Sequence, residues 1–294
     1  MKTIKVSFLF VLLLFSSALY ARHQTAFPKS TPLEQAQDSI IRILAIGNSF
    51  SDDAVEHYLY GLAKAGGYKV IIGNLYIGGA PLDLHWKNAQ KDSAAYSYRK
   101  INTAGKATKH PKTSIAFALA DETWDYISFQ QASPKSGLFD TFKGPLPLFF
   151  NYVKERATNP KVKYVWHQTW AYAQNSTHKG FANYQNSQMT MYKAIMKASE
   201  KVKELIPISF VIPSGTAIQN ARTKLGDVMN RDGYHLDLNI GRYTASCTWY
   251  EAIFGKDVTG NSYKPEKVSV EEANVAQRAA HFAVQHPFQI TPVP

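Results

Sequence analysis

Five short runs rich in β-branched residues recur along the chain, and between them lie longer stretches with helical spacing. The runs are Ile40–Ile46, Lys69–Ile72, Trp124–Phe129, Val162–Trp166 and Ile208–Ile212. Strands alternating with helices demand crossover connections, so neighbouring strands run parallel and helices cover both faces of one sheet. The expected fold class is therefore α/β, a three-layer α/β/α sandwich with a mainly parallel sheet of about five strands. Helices are expected over Asp52–Ala65 with Ser51 as its cap, within Tyr184–Leu205, and over Ile240–Ile253. A last helix is expected from Ser269, where Glu272 three residues on completes a capping box, to about Val284. In such sheets, ligands meet the carboxyl ends of the strands.

The amino terminus departs from this alternation. Met1, Lys2 and Lys5 precede a mostly apolar run from Val6 to Phe15, then small residues up to Ala21. A basic start, a short apolar run and small residues after it read as a signal peptide over 1–21. The run is too short for a comfortable membrane span, so no stable span is expected after cleavage. A polar lead, 22–39, follows, and a single domain is expected over 40–294. The expected location is outside the cytoplasm, periplasmic or extracellular.

Charge and composition narrow the function. Loss of Lys2 and Lys5 would lower the formal net charge from +11 to +9. The basic residues are scattered with no run of five, which argues for a solvated basic surface rather than a nucleic-acid site. The lone Cys247 excludes an intrachain disulfide and a thiolate zinc cluster. No HExxH, CxxC, Walker loop or GxGxxG is present, so no metal and no cofactor are expected.

The strand ends carry the chemistry. The first strand runs into Gly47-Asn48-Ser49-Phe50-Ser51, where a strand-to-helix turn exposes a hydroxyl near a helix amino end. Near the other end of the chain stands Arg231-Asp232-Gly233-Tyr234-His235. Of the nine histidines, only His235 has an Asp three residues before it, a spacing that lets a carboxylate fold back and fix the imidazole's tautomer. Paired glycines, Gly78-Gly79, follow the second strand, where a backbone N–H could approach an oxyanion. Gln130-Gln131 follow the third strand and could offer a side-chain amide.

Together these segments resemble the SGNH (GDSL-like) hydrolase superfamily over roughly Ile40 to the end. Gly47-Asn48-Ser49-Phe50-Ser51 looks like its first block, Ile77-Gly78-Gly79 like its second, and Asp232-Gly233-Tyr234-His235 like its fifth. Asn48 stands where the block normally has Asp. The third block, normally Gly-x-Asn-Asp, is absent, and Gln-Gln stands in its place. The resemblance implies a flavodoxin-like sandwich and a serine esterase with nucleophile Ser49, base His235 and partner Asp232. It also implies an oxyanion hole from the N–H groups of Ser49 and Gly79 with Gln130 or Gln131 as a third donor.

Exported relatives of this kind remove acetyl groups from polysaccharides, so the expected substrate is a small-molecule or polysaccharide ester. Aromatic residues near the strand ends suit sugar faces. Trp86, His167 and Trp170 are the candidate substrate contacts, although core packing is the commoner fate of such residues and Trp166 beside it favours a structural His167. The alternatives are a lipase or thioesterase of the same superfamily, or a carbohydrate-binding protein that keeps the fold without the chemistry.

Overall fold

The computed structural model describes residues 39–294. The expected signal peptide and all but the last residue of the polar lead lie outside the described residues. Seven strands form one sheet, in the order β4-β3-β2-β1-β5-β6-β7. They are β1 (Ile40–Gly47), β2 (Lys69–Tyr76), β3 (Tyr96–Ile101), β4 (Ala107–Thr113), β5 (Tyr126–Phe129), β6 (Lys163–His167) and β7 (Phe210–Ile212). β2, β1, β5, β6 and β7 run parallel, and β3 and β4 add an antiparallel hairpin to the β2 edge. All five expected strands are present, and the hairpin raises the count to seven.

The helices are α1 (Ser49–Val55), α2 (Leu59–Ala65), α3 (Leu82–Gln90), α4 (Ile115–Asp121), α5 (Pro145–Arg156), α6 (Gln188–Glu200), α7 (Ser214–Leu225), α8 (Ile240–Phe254) and α9 (Val270–Gln285). Side chains alternate along β1, because successive Cβ atoms of a strand point to opposite faces. Ile43 and Ala45 enter a core with α1, α2, α7, α8 and α9, whereas Leu44 and Ile46 enter a second core with α3, α4 and α5. Both faces of the sheet are thereby covered, giving the three-layer sandwich. None of the described helices is long and apolar enough to cross a membrane.

Two helix expectations need correction. The continuous helix over Asp52–Ala65 is two helices, α1 and α2, with a turn at 56–58. There Glu56 is held by Asn74 and Arg99, and the Tyr58 hydroxyl donates to the Leu238 carbonyl. Tertiary bonds of these two side chains accompany the break. The cap of α1 is Asn48, whose Oδ1 accepts from the Phe50 N–H at 3.0 Å. Ser51 lies inside the helix, buried, with its hydroxyl between the Asn48 carbonyl and Asn74 Oδ1. The Ser269–Glu272 capping box of α9 is present.

Candidate active site

β1 delivers the chain into α1, so Ser49 is the first residue of that helix, where backbone N–H groups have no intrahelical acceptor. His235 lies in the loop before α8. Its Nε2 is 2.9 Å from Ser49 Oγ, and its Nδ1 is 2.6 Å from Asp232 Oδ2. A carboxylate only accepts, so Nδ1 carries the proton and Nε2 presents its lone pair to the serine hydroxyl. Asp232 Oδ1 also accepts the N–H groups of Tyr234 and His235. This fold-back requires Gly233 at φ +88°, a left-handed conformation that suits glycine. Partial burial would raise the Asp232 carboxyl, but the hydrogen bonds from His235 and from the two N–H groups hold it below its usual range.

Two tethers fix this loop against the nucleophile helix. Asp53, one turn along α1 from Ser49 and fully buried, accepts from the Leu236 N–H at 2.9 Å, Arg231 Nη1 at 3.1 Å and Arg242 Nε at 2.7 Å. Arg231 also donates to the Leu236 carbonyl. Trp170 stacks on Phe50 with ring centroids 4.1 Å apart, and its indole N–H donates to the Tyr234 carbonyl. Neither Asp53 nor the arginines carry a local spacing signal, since 178 residues separate Asp53 from Arg231. They were legible only as neighbours of Ser49 and Asp232.

A cleft of about 350 Å³ opens at this point, lined by Ser49, His235, Gly78, Gly79, Tyr76, Tyr234, His178 and the Ser133-Pro134 turn, with Asn48. Tyr76 is backed by Arg99, whose guanidinium lies 3.9 Å from the ring centroid and pairs with Asp52 and Glu56. Burial and the Asp52 charge push the Glu56 carboxyl up to about 7. Burial works against ionisation of Asp52 too, but hydrogen bonding to His57 and Glu56 and the Arg99 charge bring it to about 2. A larger cavity of about 710 Å³, lined in part by His57, Tyr60, Lys64 and Tyr263, contains none of Ser49, Asp232 or His235.

The structure brings Ser49, Asp232, His235 and Gly79 together and corrects the remaining expectations. Gln130 and Gln131 are buried and do not line the cleft. The Gln130 amide donates to Asn48 Oδ1 at 2.8 Å, and its Oε1 lies 2.9 Å from His167 Nδ1. Gln131 accepts the N–H groups of Leu82 and Ala132 and donates to Thr141 Oγ1. Each amide spends one N–H on these bonds, and both side chains lie outside the cleft lining, so neither is placed to meet an oxyanion. Gly47 makes room for Gln130, because a Cβ there would stand 2.7 Å from the Gln130 side-chain carbon.

His167 is fully buried, and burial lowers it to about 3, so it is neutral. Its Nδ1–H donates to Gln130 and its Nε2 accepts from Ser214. Trp170 is buried as a tether, and Trp86 packs against the second core. None of the three lines the cleft. Among the described residues, carboxylates and histidines gather twice, as Asp52-Asp53-His57 and Glu251-Asp257-His281. Asp52 and Asp53 already pair with arginines, and Glu251 and Asp257 both pair with His281.

The relay from His167 through Gln130 ends on the nucleophile turn. Asn48 accepts from Gln130 and Phe50, and its Nδ2 donates to the Ala80 carbonyl at 3.0 Å, next to Gly79. One amide therefore joins the serine turn to the glycine turn. We expect Gln130→Leu to strand the buried His167 Nδ1–H, with Asn48 Oδ1 keeping only the Phe50 N–H, and to lower stability by about 1–3 kcal/mol. Urea unfolding checks this; a midpoint equal to wild type would show that the relay is not structural. Asn48→Asp keeps both acceptors but sets an oxygen against the Ala80 carbonyl. We expect about a tenfold loss in serine labelling rate, corresponding to about 1.4 kcal/mol, and wild-type labelling would exclude a role for this bridge.

This is a three-layer α/β protein with a hydrogen-bonded Ser–His–Asp chain at the carboxyl ends of its central strands. The chain belongs to the family described as a domain of unknown function, DUF4886, whose model matches residues 42–283. It is similar to a DUF4886 family protein from Bacteroides uniformis ATCC 8492, with 52% identity, a TM-score of 0.85, and 87% of this chain and 98% of that one covered. More distant solved structures include a putative SGNH hydrolase from Slackia heliotrinireducens, at 18% identity and TM-score 0.45, covering 73% of this chain and 100% of that one. A catalytic mutant of an acetylxylan esterase from Geobacillus stearothermophilus matches at 11% identity and TM-score 0.46, covering 73% and 93%. No curated protein matches the sequence.

Proposed function

We propose that this protein is a serine esterase that removes small acyl groups, acetyl above all, from carbohydrate or polysaccharide alcohols outside the cytoplasm. The observation that carries the reading is the continuous chain of hydrogen bonds from Ser49 through His235 to Asp232, open to a cleft. Ser49 Oγ attacks the ester carbonyl while His235 Nε2 takes its proton, and Asp232 stabilises the imidazolium. The N–H groups of Ser49 and Gly79 receive the oxyanion. With both glutamines withdrawn, the reading rests on these two backbone donors. His235 then protonates the leaving alcohol, and water, deprotonated by His235, releases the acid and frees Ser49.

The cleft favours a small acyl group on a polar alcohol. Its glycines, Ser133 and Pro134 are short, and Tyr76 and Tyr234 offer ring edges and faces to a sugar. The export signal expected over 1–21 suits a polysaccharide substrate. The test is a panel of p-nitrophenyl acetate, octanoate and palmitate with an acetylated and a methyl-esterified polysaccharide. We expect acetate esters to be turned over at least tenfold faster than octanoate, and acetic acid to be released from the polysaccharide. A fluorophosphonate should label Ser49. Failure to label would leave a binding protein on this fold, and faster turnover of long acyl chains would make it a lipase or thioesterase.

A further inference from the structure

His178 lines the cleft beside Ser49 and His235, and the structure fixes which of its nitrogens carries the proton. The Gly180 N–H donates to His178 Nδ1 at 3.0 Å, an arrangement in which the imidazole caps the short 3₁₀ helix Lys179–Tyr184. A nitrogen that accepts a hydrogen bond must keep its lone pair, so the proton of the neutral ring sits on Nε2. Among the described residues Nε2 has no partner. The ring is wedged between Tyr172 and Tyr234, with centroids 4.9 Å and 4.8 Å away, and Tyr234 in turn packs 4.1 Å from His235. Tyr234 thus packs against both His178 and His235, and the two histidines line the same cleft.

We propose that His178 is a specificity residue whose Nε2–H donates to an oxygen of the alcohol half of the substrate, selecting polyhydroxy alcohols. The proposal rests on the esterase reading above. A neutral N–H recognises a hydroxyl, ring or ester oxygen without demanding a charge, which fits a neutral sugar rather than an acidic one. Burial, and then the His235 charge, outweigh the Asp232 carboxylate and hold His178 below its ordinary range. The same ring has a second duty in the cap, and this keeps its orientation fixed before substrate arrives.

The test compares two esters that share an acyl group, 6-O-acetylglucose and p-nitrophenyl acetate. His178→Asn supplies an acceptor for the Gly180 N–H, as asparagine caps do, but its shorter side chain cannot reach as far as Nε2. We expect the ratio of kcat/KM for the sugar ester to that for p-nitrophenyl acetate to fall about tenfold, mostly through KM. His178→Gln, which restores length and an N–H, should recover part of that ratio. The ratio is read on active molecules, so partial unfolding does not disturb it. A ratio within twofold of wild type in both variants overturns the role of His178. Wild-type protein that hydrolyses neither ester overturns the esterase reading, and the proposal with it.

Discussion

Ser49→Ala should lower ester turnover about 10⁶-fold while leaving the fold intact. In a serine hydrolase triad, removal of the nucleophile or base costs about that factor in kcat, corresponding to about 8 kcal/mol of transition-state stabilisation. The structural cost is small, because the hydroxyl makes its one hydrogen bond to His235 at the edge of the cleft. Asp232→Asn should cost about 10⁴-fold, since an amide can present its N–H to Nδ1 and hold the wrong tautomer. The geometry makes a sharper demand on the double variant. If Ser49, His235 and Asp232 act as one unit, Ser49→Ala with Asp232→Asn should be no slower than Ser49→Ala alone. Initial rates on p-nitrophenyl acetate, normalised to the concentration of folded protein, measure all three. Losses that multiply, or a Ser49→Ala variant within tenfold of wild type, would remove the triad from the reaction.

Much of this site was legible in the chain because its signals are local. Asp232 and His235 fold onto each other across one glycine, and Ser49 sits just past a β-branched run, so spacing marked each half as a candidate and the resemblance to SGNH hydrolases joined them. Their meeting depends on the sheet, whose parallel strands the alternating pattern implied. The β3–β4 hairpin was illegible for a physical reason. Residues 107–112 of β4 are exposed, polar or basic in the main, and include Pro111, tolerated because β4 is an edge strand paired only with β3. Such a segment has no buried face to mark it.

Burial also separates the aromatic and amide residues that the chain made look alike. Trp170, His167, Gln130 and Gln131 sit at strand ends, where ligands bind, yet all four face inward and act by holding turns. Sequence position gives a residue's height along a strand but not the direction of its side chain once the strand has ended. The cleft residues that the chain did not mark, His178 and Ser133 among them, lie at or in short 3₁₀ turns with no periodicity to read.

Removal of Asp53 should have the second large effect, on stability and on reactivity at once. Asp53 and Ser49 are four residues apart and share one face of α1. Its carboxylate takes three donors from the segment that carries the base: the Leu236 N–H, Arg231 and Arg242. Asp53→Leu leaves all three without their acceptor in a site shielded from water. Breaking a buried ion pair on one side typically costs about 3–5 kcal/mol, so we expect the melting temperature to fall by about 10 °C.

The outcome separates anchoring from mere stability through a second variant. Asp53→Asn retains an oxygen for the Leu236 N–H but loses the charge that both arginines share. It should keep more stability than Asp53→Leu, yet still label more slowly with a fluorophosphonate when assayed well below its melting temperature, because Arg231 and Leu236 flank His235. Calorimetry and labelling kinetics supply the two readouts. A loss of stability below about 1 kcal/mol in Asp53→Leu would mean that the arginines find other partners. Wild-type labelling in folded Asp53→Asn would mean that His235 is held by Asp232 and Trp170 without help from the nucleophile helix.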